Sequence, residues 1–533
     1  MFALAFAIGI FSYGIFLLGI LGWLYVPIII GITIVYWICF VILKKNTLRI
    51  ALLLCKKRVA TESKSLLIIL LLIWMALQML INFIGVLGPE LGFDALWYHL
   101  TLPKLYLLWH QILHIPGGLL YYSDMPKLTE MLYIPGIVLF SDIGAKAIHF
   151  LFGILSCIAL YKLGRKFFTP LLSLLTVAIF YSNLVVGWES ISAYIDLSRT
   201  FFEIVALIGF FNWYESKKRK WLMYAAICMG LTIATKFLAI ADIGIFLIGI
   251  FLVVIFQKRK TFFIDCILFV ICTLLIPLPW WVFSFLNTHN PFYPFFTPIY
   301  PFAHNFSLQP FRLVVYLWDV FTHSSDPISF LYIAFLPFLW IVRKWSQKEF
   351  LLLVIGLVSI LTWYISPQTG GGRFLLPYLP VLSLLAVFVY QGMKTRFLKA
   401  LFLSVLFIAL GSSLGYRTVA NIKFIPVIFG FESKAKFLST HLNFSFGDFY
   451  DIDGYMAHHI KSSDTVLLYG YHNLYYVDFP FIHQSWVKKG DAFDYVATDT
   501  SPPPHRFASW QLVYANPLTH IHVYKKEGKI WNY

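Results

Sequence analysis

"PELGFDALWYHLTLPKLYL" (Pro89–Leu107) follows an apolar run over residues 65–87 and is too polar to prolong it. Two acids, a histidine, a lysine, several aromatics and two prolines stand where the chain leaves an apolar segment long enough to span a bilayer. Asp94 sits where a new helix begins, and Tyr98, Leu102, Leu105, Tyr106 and Trp109 recur at helical spacing after it. The pattern predicts a helix lying in the interface with that face toward lipid or protein. Asp94 reads equally well as a helix N-cap, and Trp97, Tyr98 and Trp109 as an interfacial aromatic belt.

The rest of the chain supports a membrane setting. Of 533 residues, 60% are hydrophobic and 12% charged, with a mean hydropathy of +0.78. That leaves too little polar surface to cover a water-soluble domain. Apolar runs predict thirteen spans: 2–21, 25–43, 65–87, 143–163, 169–187, 193–213, 220–237, 238–256, 262–285, 328–343, 349–366, 373–391 and 397–415. The formal charge of +16 does not point to nucleic acid, because the cations fall in every second loop: Lys44 to Lys64, Lys162 to Lys166, Lys217 to Lys220, Lys258 to Lys260, Arg343 to Lys348, and Lys394 to Lys399. This places those loops and the N-terminus in the cytoplasm of a multi-pass plasma (inner) membrane protein. The six cysteines lie in apolar runs or, for Cys55, in a basic loop, so no disulfide framework is expected.

Three regions follow: a two-span extension with its basic loop (1–64), a transmembrane region (65–415) with an outer loop at 88–142, and an extracytoplasmic C-terminal domain (416–533). In the last, "DTVLLYGYHNLYYVDF" and "WQLVYANPLTHIHVYKKEG" read as strands and turns, with "FGDFYDIDGYMAHHIKSS" as a helix before them. The fold class is thus an all-α polytopic membrane bundle with a small α/β C-terminal domain.

Unusual polar residues gather in the outer segments. The early loop carries Asp94, His99, Lys104, Asp124 and Glu130. "GWESISAYIDLSRTFFE" (Gly187–Glu203) brings Glu189 and Asp196, the latter a partner for Arg199. "GLTIATKF" ends at a helix terminus with Lys236, "NPFYPFF" forms a rigid aromatic loop with Asn290 and Tyr293, and "GGGRFLLPYLP" (Gly370–Pro380) sets Arg373 after three glycines. Polar groups at membrane depth are costly and usually line a site. A carboxylate can take a proton from a hydroxyl, and cations can stabilise a phosphate leaving group. Each residue also has a plain structural role open to it: Lys236 can snorkel, Glu130 can pair with Lys127, and Asn290 can shape a turn.

Asp-Ala-x-x-Tyr-His-x-x-x-Pro (Asp94–Pro103), with Glu130, "AYIDLSRTFFE", "GLTIATKF", "NPFYP" and "RFLLPYLP" in order, resembles the GT-C-fold membrane glycosyltransferases, in particular the family 39 and protein O-mannosyltransferase-like enzymes. The resemblance implies a helical bundle with large outer loops, a sugar donor on polyprenyl phosphate, and Asp94 as catalytic base. Donor-phosphate contacts would fall to Arg373, Lys236, His99 and Lys104. Glu130, Asp124 and Glu189 would serve the acceptor or act as a second acid, and Tyr98, Asn290 and Tyr293 would wall the site. Two departures are plain: the loop follows the third apolar run rather than the first, and Ala95, not a second acid, follows Asp94.

The expected reaction is inverting transfer of the sugar to a hydroxyl of a glycan, lipid or protein acceptor at the extracytoplasmic face. No compact metal-ligand spacing is present; a divalent cation stays open as a minority option. A transporter or flippase of lipid-linked sugars and a polysaccharide polymerase or ligase are the alternatives. The first calls for a polar path through mid-bilayer, the second for a large outer loop late in the chain.

Overall fold

The computed structural model describes residues 1–62, 65–300, 310–322, 328–342, 344–366, 371–526 and 531–533. A helix stands at each predicted apolar run, because a backbone in lipid must satisfy its own hydrogen bonds. A count of thirteen spans is not reached. Among the described residues, eight helices are long and apolar enough to cross a membrane, and nine if the pair Phe262–Leu275 and Leu278–Thr288, bent by 56°, is one span.

Three helices outside that count, at predicted spans, are short or charged and largely buried. Pro170–Tyr181 has 12 residues and stops where Asn183 turns its amide back to the carbonyls of Ile179 and Phe180. Asp196–Ser216 carries Asp196, Arg199 and Glu203 on buried positions, and Arg219–Thr235 packs against it. Buried charge is tolerable there because it is paired. Arg199 does not take Asp196, as the sequence suggested. Its Nη2 donates to Asp242 (2.8 Å), which also accepts from the Tyr378 hydroxyl (2.6 Å).

The predicted outer loop is largely structured. Leu100 N–H donates to the Ala95 carbonyl five residues back (2.9 Å), closing a π-turn over Ala95–His99. Thr101–Trp109 continues as α-helix with Leu102, Leu105 and Tyr106 buried. Thus the face expected at the interface turns inward, while Trp109 is exposed. A helix already begins at Leu128 and runs to Gly164, broken at Phe140 and Ser141 where the backbone leaves helical geometry.

The C-terminal region holds the expected sheet. The helix Arg396–Ile422 runs past the predicted boundary before it. Strands β1 (Val466–Tyr469), β2 (Phe481–His483), β4 (Tyr495–Thr498), β5 (Gln511–Ala515) and β6 (His522–Lys525) lie in the order β2-β1-β4-β6-β5, while β3 (Ala492–Phe493) pairs with β7 (Trp531–Asn532). β1 is parallel to both neighbours, with Val466 opposite Phe481 and Tyr495; β6 runs antiparallel to β4 and β5. The helix expected before β1 is only Tyr455–His459, because the Asp451 and Asp453 carboxylates hold its first N–H groups and Gly454 turns with φ +75°.

This domain grips the early loop. Lys104 Nζ donates to the carbonyls of Tyr475 and Val477 and to Asp478 Oδ1, each at 2.7 Å. The Tyr476 hydroxyl donates to the Glu90 carbonyl (2.9 Å). Glu90, which the sequence did not single out, is buried and accepts from the N–H groups of Leu91, Gly92 and Ala193.

Candidate active site

Four distant segments deliver charged side chains to one pocket of about 300 Å³. The π-turn supplies Asp94 and Tyr98. Gly371, at φ +53°, makes a turn that a side chain would strain, and the short helical stretch Gly372–Leu375 then presents Arg373. Gly370 lies outside the described residues. Lys236 stands where Arg219–Thr235 ends and the backbone becomes extended, and Asp196, buried at the start of its helix, lies just behind the wall that Ile195 lines.

These groups form a row of alternating charge. Arg373 Nη1 donates to Asp94 Oδ2 at 2.7 Å, with 15% and 16% of the two side chains exposed. Arg373 Nε lies 4.0 Å from Asp196 Oδ2, and neither atom has a hydrogen-bond partner among the described residues. Asp196 Oδ1 accepts from Lys236 Nζ at 2.5 Å. Asp94 does not cap its helix: no side-chain capping bond forms, and its carboxylate faces the pocket instead.

Lys127 adds a third cation to the wall. Its ammonium donates to the Met125 carbonyl (2.5 Å) and lies 5.2 Å from the Trp280 ring centre. Burial pushes it down to about 8, against the opposing pull of Glu130 and Asp124. Burial also holds the Tyr98 phenol well above its ordinary range, so it stays a hydroxyl beside Asp94 (3.4 Å).

Aromatic rings complete the enclosure. Tyr98 stacks on Tyr122 (3.7 Å between centres), and Phe237 on Phe295 (5.0 Å). Lys236 lies 4.7 Å from the Phe374 ring, and Arg373 4.9 Å from that of Tyr194. Ring faces and carboxylates beside these cations offset part of the cost of burying them.

Of the residues the sequence proposed, Asp94, Tyr98, Glu130, Lys236 and Arg373 line this pocket, and the others do not. His99 is buried behind it with Nδ1 2.8 Å from Glu130 Oε1, so Glu130 pairs with His99 and not with Lys127. Lys104 is the clamp to the C-terminal domain described above. Asp124 takes His114 Nδ1 (2.6 Å) and the Ser123 hydroxyl. Glu189 is fully buried, 3.8 Å from His149 Nε2. Asn290 accepts from Phe292 N–H and donates to the Phe295 carbonyl, the turn role open to it; it thereby shapes the loop whose Pro294 and Phe295 reach the pocket. Tyr293 packs near His114.

Sequence reading missed the pocket role of Lys127, which directly follows Pro126, and of the rings of Trp97, Tyr122 and Phe374. Their clustering in the same short stretches as Asp94, Asp124 and Arg373 was the available signal. Among the described residues, no three His, Cys, Asp or Glu side chains converge as a metal ion requires.

Residues 118–291 match the family model described as dolichyl-phosphate-mannose-protein mannosyltransferase. Among curated protein sequences, none matches this chain. The crystal structure of ArnT from Cupriavidus metallidurans in the apo state is similar over 85% of this chain and 97% of that one, at 13% identity and a TM-score of 0.59. The same protein bound to undecaprenyl phosphate gives the same coverage and identity and a TM-score of 0.56. The Archaeoglobus fulgidus oligosaccharyltransferase crystallised with Zn and sulfate gives 13% identity, coverage of 79% and 68%, and a TM-score of 0.46. The fold is the GT-C fold shared with ArnT, as the resemblance in the sequence implied.

Proposed function

We propose that this protein is a membrane glycosyltransferase. It moves a sugar from a polyprenyl-phosphate donor to an acceptor hydroxyl at the extracytoplasmic face, with Asp94 as base and with inversion at the anomeric carbon. The mannosyltransferase family match over 118–291 and the fold shared with ArnT, a protein crystallised with undecaprenyl phosphate, support the reaction class and the kind of donor. The observation that carries the residue assignment is the 2.7 Å contact of Asp94 with Arg373 in a pocket that also receives Lys236 and Lys127.

The chemistry follows from that geometry. A donor phosphate is drawn to Arg373, whose Nε–H has no hydrogen-bond acceptor among the described residues and whose planar fork suits phosphate oxygens. As Arg373 turns to phosphate, its hold on Asp94 loosens, and the carboxylate can accept the acceptor's hydroxyl proton. The new bond forms at the anomeric carbon as the carbon–oxygen bond to phosphate breaks. The leaving lipid phosphate keeps the electron pair beside Arg373, Lys236 and Lys127, where the cations oppose its growing charge. The aromatic walls suit the faces of a sugar and the first units of a lipid chain. The pocket gathers its charge at one end of the bundle, which favours transfer over a path across the membrane.

The test is Asp94→Asn in the purified full-length protein, assayed for donor turnover beside the wild type. Loss of the base lowers turnover by about 10²- to 10⁴-fold with an unchanged elution profile on gel filtration. Turnover within about threefold of the wild type rules out Asp94 as base and shifts the role to Glu130, the remaining carboxylate of the pocket wall.

A further inference from the structure

Beyond the pocket, the C-terminal domain and the early loop enclose a second cavity of about 620 Å³, roughly twice the volume of the first. The two spaces share Trp97 and Tyr121 as walls. The contact that forms the cavity is built, not incidental. Leu119 N–H donates to Ser485 Oγ (2.9 Å), and Trp97 Nε1 donates to the Leu119 carbonyl (3.0 Å). Gly117 turns there at φ +86°, and a Cβ on it would meet the Ser485 carbonyl oxygen at 1.7 Å, so only glycine lets the loop sit this close.

The lining has a definite chemistry. Tyr469 and Tyr533 join Trp97 and Tyr121 as ring surfaces, with His472 and Gln484 as polar groups between them. None of the described side chains lining the cavity is Asp, Glu, Lys or Arg. His483, also in the wall, bonds through Nε2 to the Tyr471 carbonyl and accepts at Nδ1 from Ser485 N–H; burial pushes it down to about 4, so it is neutral. Tyr471 and His483 are themselves buried, so the ring faces open to the cleft are those of Trp97, Tyr121, Tyr469 and Tyr533.

Ring faces with interspersed neutral hydrogen-bonding groups match a carbohydrate, whose sugar rings offer C–H faces and hydroxyl edges. The lack of charged side chains disfavours an anionic glycan or a phosphorylated lipid head group. We infer that this cleft binds the acceptor, and that the acceptor is an uncharged, hydroxyl-rich glycan fed past Trp97 and Tyr121 toward Asp94. The inference rests on the transferase reading for its direction toward Asp94, but the binding it asserts is measurable without any transfer.

The probes are the neutral oligosaccharides released from the host's own cell envelope and tagged at the reducing end, the anionic oligosaccharides separated from them by ion exchange, and peptides from envelope proteins. Binding is measured by equilibrium dialysis against the full-length protein in nanodiscs. The blocking variant is Gly118→Trp. Gly118 is exposed and lines the cleft, and a Cβ there meets nothing within 4 Å, so the new side chain starts in open space at the cleft. The neutral fraction binds the wild type, and Gly118→Trp weakens it by more than about tenfold.

Preference for the anionic fraction or for peptides overturns the assignment. So does unchanged affinity for the neutral fraction in Gly118→Trp. Donor turnover is scored separately, as loss of sugar to water in the absence of acceptor. If neutral glycans bind and Gly118→Trp blocks them while no donor is turned over, the transferase reading fails and the glycan cleft stands. If the donor is turned over and the neutral fraction does not bind, the cleft fails and the transferase reading stands.

Discussion

Lys127 shows how one buried ammonium can set a pH dependence. Its pKa is depressed to about 8 by burial, with Glu130 and Asp124 pulling the other way. The sign for stability is that of a cation disfavoured by folding. Below pH 8 the buried charge costs stability, and the cost fades as pH rises from about 8 toward the ordinary lysine value. Donor binding runs in the opposite direction, because the site loses a positive charge over the same range. The expected outcome is a donor KM that rises as pH passes about 8, while the folded protein gains slightly in thermal stability. Lys127→Arg keeps the charge and flattens the rise; Lys127→Met gives a high KM at every pH. A wild-type KM that stays level through pH 8 would show that Lys127 does not face the phosphate. Lys127 was visible in the sequence only as a neighbour of Glu130. What hid its role is that Glu130 turns to His99 instead (2.8 Å), a choice made by packing and not by spacing along a helix.

The segment Asp94–Trp109 works as one element with two ends. Its π-turn points Asp94 and Tyr98 into the pocket, a use to which such wide turns are often put, while its helix sends Lys104 to the loop Tyr475–Asp478. Burial lowers the Lys104 pKa, opposed by Asp478, as fits an ammonium used as a fastener. Lys104→Met leaves the Tyr475 and Val477 carbonyls without this donor, at a cost of about 1–3 kcal/mol. We therefore expect a lower unfolding temperature and faster proteolysis around residues 475–478, with donor KM changed by less than about threefold. A donor KM raised about tenfold at unchanged stability would return Lys104 to the phosphate-binding role its sequence position suggested. The sequence showed that a helix lies here and that it is amphipathic. It could not show which partner the helix meets, because the C-terminal domain that covers it lies more than 370 residues further along the chain. The same limit applies to the Asp94–Arg373 pair, separated by 279 residues. Both residues could be picked as unusual, but only the fold brings them together.

At the scale of the molecule, the strongest sequence signal was the alternation of cations between loops, and its geometry can be followed across the bundle. Lys166, Glu215 and Lys348, in or beside three of the predicted cytoplasmic connections, meet in one cluster: Lys166 Nζ lies 2.6 Å from Glu215, and Lys348 Nζ donates to the Lys166 carbonyl (2.7 Å) and to Glu215. Asp94, Lys236 and Arg373 meet in another, reached by the other connections. Counting spans was less secure, because the helices at the centre, such as Asp196–Ser216, trade apolar side chains for paired charges once protein surrounds them. Polarity across the membrane therefore needs its own measurement. Lys218 and Ser462 are both exposed, the first beside the Glu215 cluster in sequence and the second in the C-terminal domain. In a Cys55→Ser background, Ser462→Cys should react with a membrane-impermeant maleimide in intact spheroplasts, and Lys218→Cys only after permeabilisation. The positive-inside bias is a statement about which loops resist translocation, so this labelling tests it directly. Reaction of Lys218→Cys from outside, with Ser462→Cys protected, would invert the chain. It would put Asp94, Arg373 and the glycan cleft at the cytoplasmic face, where the acceptor would have to be a different pool of sugars.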